Sequence, residues 1–192
     1  TILSKENNNI FISSNTKSYK DINSKIKSKS PTKSIMLIGS PANINRYVHE
    51  YGQFFYFKIL LEYNIINTLK NNNFNVLYKV HPDRKKEIDG LFNDFVDDYL
   101  IDPFEKCWNK ADRLIFTDTA STTFGFSLAT NKQITLLDHN KDNENKRVKD
   151  LINKRVSIVD VRVNQDQKFT FSNQDLLNSL KEVKDIDFKS LL

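Results

Sequence analysis

Short, largely apolar segments recur along this chain and alternate with segments of helical periodicity. Those that end abruptly in polar residues, as buried strands do, are residues 35–38, 74–80, 113–116 and 133–137. Between the first two, apolar residues recur at intervals of three and four, as on one helix face: Phe54, Phe57, Leu61, Ile65 and Leu69. Apolar runs without alternation are typical of strands buried on both faces. The pattern therefore predicts an α/β fold, a Rossmann-like parallel sheet with helices on both faces.

The other segments continue this alternation. We predict strands at residues 9–12, 98–101 and 156–161, and helices at residues 47–69, 83–93, 103–110, 122–130, 143–153 and 173–183. The predicted organisation is an N-terminal strand with a Ser/Lys-rich linker over residues 1–33, followed by one Rossmann-like domain over residues 34–192.

Composition narrows the class of protein. With 192 residues, 39% of them hydrophobic, the chain can bury a core, and no apolar run approaches the roughly 20 residues of a membrane span. A single cysteine, Cys107, excludes an internal disulfide and favours a reducing, cytoplasmic location. The three histidines are far apart, and no metal-binding spacing occurs, so we expect no tightly bound metal.

The net charge of +5 comes largely from lysines interleaved with serines in residues 17–33. Such a segment has too little apolar surface to offset the entropy of ordering, so we interpret it as a solvated linker rather than a nucleic-acid site. Its lysines could also contact anionic lipid, and peripheral binding at the inner face of the membrane is the alternative.

Two predicted strand ends carry the candidate site. Lys79 and His81 end the strand at 74–80, and Pro82 keeps His81 extended. After the strand at 113–116 come the hydroxyls of Thr119, Ser121, Thr122 and Thr123. One of these hydroxyls caps the following helix, and the others could bind a phosphate or a ribose. Ligands of open parallel sheets bind beyond these carboxyl ends.

Further residues could face the same crevice. Ser40 and Arg46 follow the first strand of the sheet, and Arg46 could clamp an anion. Asp118 would repel a phosphate, so we expect it to hold a backbone amide, a hydroxyl or Lys79. His49 and His139 are weaker candidates. The chain has four glycines and neither a G-x-G-x-x-G nor a P-loop motif, which argues against a nicotinamide dehydrogenase or a P-loop NTPase.

Three segments together resemble the carboxyl-terminal, donor-binding domain of GT-B glycosyltransferases: Tyr78-Lys79-Val80-His81-Pro82, residues 111–124 and residues 133–138. The resemblance is to enzymes of bacterial surface polysaccharides: CDP-glycerol glycerophosphotransferases, polysialyltransferases and capsule Kdo transferases. It implies that His81 of a His-Pro motif, together with Ser121 and Thr122 of a hydroxyl motif, contacts the donor phosphate. Thr119 and Ala120 replace the Tyr and first Ser of a common form of the second motif.

The resemblance implies half of a GT-B enzyme. Its donor would be a CMP- or CDP-activated sugar or polyol phosphate, with a UDP-type donor as the alternative, and its acceptor a polysaccharide or a lipid-linked glycan. The catalytic base usually lies in the amino-terminal GT-B domain. Since this chain starts at Thr1, we expect a fragment with little activity alone. A sugar-nucleotide epimerase of the same shape and a non-catalytic interaction module remain alternatives.

Overall fold

The computed structural model describes residues 34–39, 55–82, 90–119, 121–139, 146–166 and 168–184. The strands are β1 (Ser34–Ile38), β2 (Asn75–Lys79), β3 (Asp98–Leu100), β4 (Arg113–Phe116), β5 (Gln133–Asp138), β6 (Ser157–Val163) and β7 (Phe169–Phe171). The helices are α1 (Phe55–Asn71), α2 (Phe104–Cys107), α3 (Thr122–Leu128), α4 (Lys146–Arg155) and α5 (Asn173–Ser179), and a 3-10 turn, Trp108–Lys110, follows α2.

These strands form one sheet in the order β3-β2-β1-β4-β5-β6-β7. Every pair is parallel except β6 and β7, which form an antiparallel edge. The first six strands have the order of a Rossmann fold, in which the chain leaves β1 in one direction and returns to β4 on its other side. The predicted α/β, Rossmann-like fold is confirmed.

Helices cover both faces of the sheet, and each face has its own apolar core. Alternate strand residues such as Leu37 and Ile115 pack with α1 and α5, together with Phe169 of β7. The intervening residues, such as Met36 and Leu114, pack with α2, the 3-10 turn, α3 and α4. Because β1 is buried along its whole length, its unbroken apolar sequence is explained by contacts on both sides.

Most described elements lie where the sequence predicts them, and the differences are local. The predicted helix at 83–93 lies largely outside the described residues. Its described part, residues 90–93, forms turns that begin at Gly90, whose φ is +78°. Strand β7 was not predicted. The last helix ends at Ser179, earlier than predicted, and Val183 is exposed. The strand predicted at 9–12 and the linker lie outside the described residues.

A buried arginine fixes the loop between α3 and β5. The Arg155 side chain at the end of α4 is 2% exposed. Its Nε donates to the carbonyl of Leu128 at 3.2 Å, and its Nη2 donates to the carbonyls of Thr130 at 2.7 Å and Lys132 at 2.8 Å. Burial lowers the pKa of Arg155 to about 10, so the group stays charged at pH 7. Arg155 thereby holds the carboxyl end of α3 through three carbonyl groups.

Candidate functional site

The carboxyl ends of the parallel strands meet at one edge of the sheet, and the candidate residues lie there. The direction of winding reverses between β1 and β4, so the crevice expected of this fold opens beyond these two strands. Strand β2 lies on the other side of β1, which places the ends of β2 and β4 about 10 Å apart, two interstrand spacings. The two predicted motifs therefore flank the end of β1.

Gly39 follows β1, and its backbone is packed closely against β2. Its amide donates to the carbonyl of Lys79 at 2.9 Å. A Cβ at this position would lie 2.6 Å from Tyr78 Oη, too close for any real contact. The Tyr78 hydroxyl donates to Glu62 Oε2 of α1 at 2.7 Å, and both side chains are fully buried. A glycine here lets β1 leave the sheet beside a buried hydroxyl–carboxylate pair.

At the end of β2 the structure gives Lys79 and His81 different settings. Lys79 is 4% exposed, and its Nζ donates to the carbonyl of Val80 at 2.6 Å. Burial lowers the pKa of Lys79, although the nearby Cys107, Glu105 and Asp102 oppose that shift. His81 is half-buried and lies just after the carboxyl end of β2. The lysine amine thus lies on the carbonyl that immediately precedes the histidine.

At the end of β4 a serine starts helix α3. Ser121 is extended, and its Oγ accepts the backbone N–H of Phe124 at 3.1 Å, so it is the N-cap. Thr122 and Thr123 are the first two helical residues; Thr122 is exposed and Thr123 half-buried. Thr119 is half-buried just before them. The prediction that one hydroxyl of this cluster caps the helix is confirmed for Ser121.

Asp118 has an ion-pair partner that the sequence analysis did not connect with it. Its Oδ2 lies 3.6 Å from Nζ of Lys58, and the two side chains are 19% and 10% exposed. Lys58 belongs to the first turns of α1, which covers the sheet face opposite α3. The Lys79 partner that was one of our expectations for Asp118 instead donates to Val80.

His139, a weaker candidate from sequence, lies at the end of β5 beside this ion pair. The centroid of its ring is 5.2 Å from that of the Phe169 ring. Burial, followed by the Lys58 ammonium, lowers the pKa of His139, while Asp118 and Asp138 oppose the shift. At neutral pH the imidazole is therefore mainly uncharged.

The remaining predictions concern residues 40–49, a metal site and a membrane span. Ser40, Arg46 and His49 lie outside the described residues. Over the ranges that the structure describes, no three His, Cys, Asp or Glu side chains form a metal-binding group. No helix in those same ranges is both long and apolar enough to cross a bilayer.

Sequence signals for the missed residues did exist. Asp138, which was missed, ends the apolar strand β5, and the weaker candidate His139 follows it, which is the signal for residues at the carboxyl edge. Lys58 and Glu62 fall within the apolar stripe of α1, at helical spacing from Leu61 and Ile65. Charged residues buried in such a stripe need polar partners, and both have them.

No family model matches the chain, and no curated protein matches it. Two solved structures are similar to it. The structure of MT0777 is 16% identical with a TM-score of 0.43, covering 77% of this chain and 93% of that one. The Thermosulfurimonas dismutans KpsC, beta Kdo 2,7 transferase, is 17% identical with a TM-score of 0.38. That match covers 87% of this chain, which spans 62% of the KpsC chain.

Proposed function

We propose that this chain binds the nucleotide-activated donor of a glycosyltransferase at the carboxyl edge of its sheet. The observation that carries the proposal is the placement of the two motifs. The His-Pro strand end on β2 and the Ser121-capped start of α3 after β4 flank β1 at the point where the chain reverses direction. In this proposal, side chains from both ends contact one phosphate or diphosphate held between them.

His81 and the hydroxyl residues of the second motif have chemical roles in this proposal, whereas the Lys79 amine is buried and donates to the Val80 carbonyl. His81 donates a hydrogen bond from its imidazole to a donor phosphate oxygen, and the hydroxyls of Ser121 and Thr122 donate to the same group. The Ser121 oxygen accepts from Phe124, so its own proton remains available for a ligand. Thr119 and Thr123 are close to these residues in the chain, and their hydroxyls are further proposed contacts of the donor phosphate. Ser40 and Arg46 remain predicted contacts in the same crevice.

The resemblance of the motifs to bacterial surface-polysaccharide enzymes supports a cytidine-type donor, CMP- or CDP-activated. Transfer to a polysaccharide or lipid-linked acceptor would need the amino-terminal GT-B domain, which supplies the acceptor side and the base. Because nucleotide-activated donors are cytoplasmic, we propose that such an enzyme works in the cytoplasm. There it would reach an acceptor at the inner face of the membrane. Departure of the nucleotide would be stabilised by the donors on its phosphate.

Calorimetric titration with CMP, CDP and UDP tests the proposal. We expect at least one of the three to bind, and His81→Ala and Ser121→Ala each to weaken binding about tenfold, as expected for loss of a hydrogen bond to a charged group. Failure of all three nucleotides to bind, or unchanged affinity in the double variant, refutes it.

Ser121→Ala also removes a helix cap, and the chain offers a matched control. Ser172 caps α5 in the same way, accepting the Asp175 backbone N–H at 3.2 Å. Each serine-to-alanine change should cost about 1 kcal/mol of stability. Only the change at Ser121 should weaken nucleotide binding, so equal losses of affinity in both variants would mean that the effect is one of stability.

A further inference from the structure

Lys79 places a charged group in the interior of the protein at the carboxyl edge of the sheet. It is the last residue of β2 and is buried. Its side chain lies on the sheet face that α2 covers, near Cys107, and Leu77 of the same strand packs in the core on that face. An apolar side chain would fill this position without the cost of taking an ammonium group out of water. A lysine here therefore indicates a role other than packing.

The Lys79 ammonium supplies a hydrogen bond at the point where the neighbouring strand has ended. Its Nζ donates to the carbonyl of Val80 at 2.6 Å. The N–H of Val80 continues the ladder to β3, donating to the carbonyl of Leu100 at 3.0 Å, but Leu100 is the last residue of β3. In a parallel ladder the Val80 carbonyl would accept from the residue two positions after Leu100. The ammonium thus acts where a longer β3 would have donated.

The carbonyl that Lys79 holds belongs to the same peptide group as the N–H of His81. This peptide is trans, so its C=O and N–H point in opposite directions. The C=O is directed toward the lysine, on the side of β3 and α2, so the N–H is directed toward β1, where the crevice opens. One peptide earlier, the Lys79 carbonyl accepts from the Gly39 amide of the β1 side at 2.9 Å. Hydrogen bonds on both sides thus fix the backbone from which the His81 imidazole projects.

Charge strengthens this hold on the backbone. Glu105 and Asp102, which follow β3, favour the ammonium form of Lys79, whereas burial lowers its pKa. A charged donor makes a stronger hydrogen bond to a carbonyl than a neutral donor does. Because the ammonium is directed away from β1, it lies behind the strand end and not in the crevice. An effect of Lys79 on a ligand of the crevice would therefore pass through His81.

We propose that Lys79 is a positioning residue of the donor site: its buried ammonium, bonded to the Val80 carbonyl, fixes the peptide that carries His81 and so sets how the imidazole meets the donor phosphate. This inference rests on the proposed function. It replaces the direct contact between Lys79 and the phosphate that the sequence suggested.

A double-mutant cycle on nucleotide affinity tests the positioning role. Lys79→Met keeps a side chain of similar length and removes the ammonium. The titrations use whichever of CMP, CDP and UDP binds the wild-type chain most tightly. We expect Lys79→Met to weaken binding by about three- to tenfold, no more than the loss of the His81 contact itself. In the His81→Ala background the same change should weaken binding by less than about twofold, since the imidazole is already gone.

A matched control is Lys132→Met at the amino edge of the sheet. Lys132 is half-buried, burial also lowers its pKa, and its Nζ lies 5.6 Å from the centroid of the Trp108 ring. This variant should keep the wild-type affinity. If Lys79→Met does not fold, Lys79→Gln is taken through the same cycle with the same expectation.

The outcomes separate this inference from the proposed function. Wild-type affinity in the Lys79 variant, or an equal loss of affinity with and without the His81 imidazole, overturns the positioning role and leaves the donor site intact. An equal loss in Lys132→Met also overturns it, because removal of any half-buried lysine would then suffice. Absence of binding by all three nucleotides overturns the proposed function, and the role of Lys79 with it.

Discussion

Replacing Gly39 with alanine is the sharpest test of the packing that shapes the crevice. The new Cβ would lie 2.6 Å from Tyr78 Oη, 3.1 Å from Tyr78 Cζ and 3.2 Å from the backbone carbonyl oxygen of Lys79. The Tyr78 ring is fully buried, so it has little space to move away from a new Cβ. Its centroid lies 4.9 Å from that of the Phe92 ring and 5.8 Å from that of the Tyr99 ring. We expect Gly39→Ala to lower the free energy of unfolding by about 1–3 kcal/mol, as substitutions at other overpacked sites do.

The contact responsible can be identified with a double-mutant cycle. Tyr78→Phe removes the hydroxyl that is nearest to the new Cβ, and also its 2.7 Å hydrogen bond to Glu62, at a cost of about 1–3 kcal/mol. In the Tyr78→Phe background the nearest atom of that ring, Cζ, is 3.1 Å from the Cβ, a distance that small shifts relieve. Gly39→Ala should therefore cost at least about 1 kcal/mol less in this background than in the wild type.

Urea unfolding monitored by circular dichroism gives the four free energies of the cycle. Gly125→Ala is the control, because no atom lies within 4 Å of its added Cβ and it sits inside α3. It should stabilise the protein by about 0.5–1 kcal/mol through helix propensity. Additivity of Gly39→Ala and Tyr78→Phe within about 0.5 kcal/mol would refute the packing argument.

Two further predictions concern buried cationic groups and pH. Arg155→Met should lower the free energy of unfolding in urea by roughly 3 kcal/mol or more, because three carbonyl groups lose a charged hydrogen-bond donor. A decrease below about 1 kcal/mol would show that these hydrogen bonds do not fix the loop. His139 has a lowered folded-state pKa, so the unfolded chain binds its proton more readily and stability falls as pH decreases from about 6.5 toward that lower pKa. His139→Gln should flatten the stability–pH curve in this window, where one proton contributes at most about 1.4 kcal/mol per pH unit, and equal slopes would show that another group is responsible.

The sequence predicted the fold well because the strands of this sheet are buried on both faces. Short, unbroken apolar runs favour a central strand. The two clearest runs, residues 35–38 and 113–116, form neighbouring strands in the middle of the sheet. Strand β7 was missed because it has only three residues and pairs in an antiparallel hairpin with β6. Its apolar side chains are too few to give a periodic signal, and tertiary packing of Phe169 decides its conformation.

The candidate site was predicted at the level of the sheet edge, but its pairing was not. Sequence identifies where a strand ends, as it does shortly before His81 and before the Ser121 cluster, since a change from apolar to polar residues marks that position. It does not specify which helix residue faces a strand end. The pairing of Lys58 with Asp118 depends on how α1 lies over the sheet, 60 positions away in the chain. The burial of Lys79 also depends on tertiary packing, on the other face of the sheet beside Cys107 and Glu105 of α2.

The central claim is that the carboxyl edge of the sheet binds a nucleotide. A CDP titration followed by two-dimensional ¹H–¹⁵N NMR tests it most directly, because each backbone amide reports its own surroundings. We predict saturable shifts at His81, at residues 117–119 and at residues 122–124, with Lys132 and Lys184 at the opposite edge unchanged. Shifts confined to the opposite edge, or a spectrum unaltered by millimolar CDP, would contradict the claim.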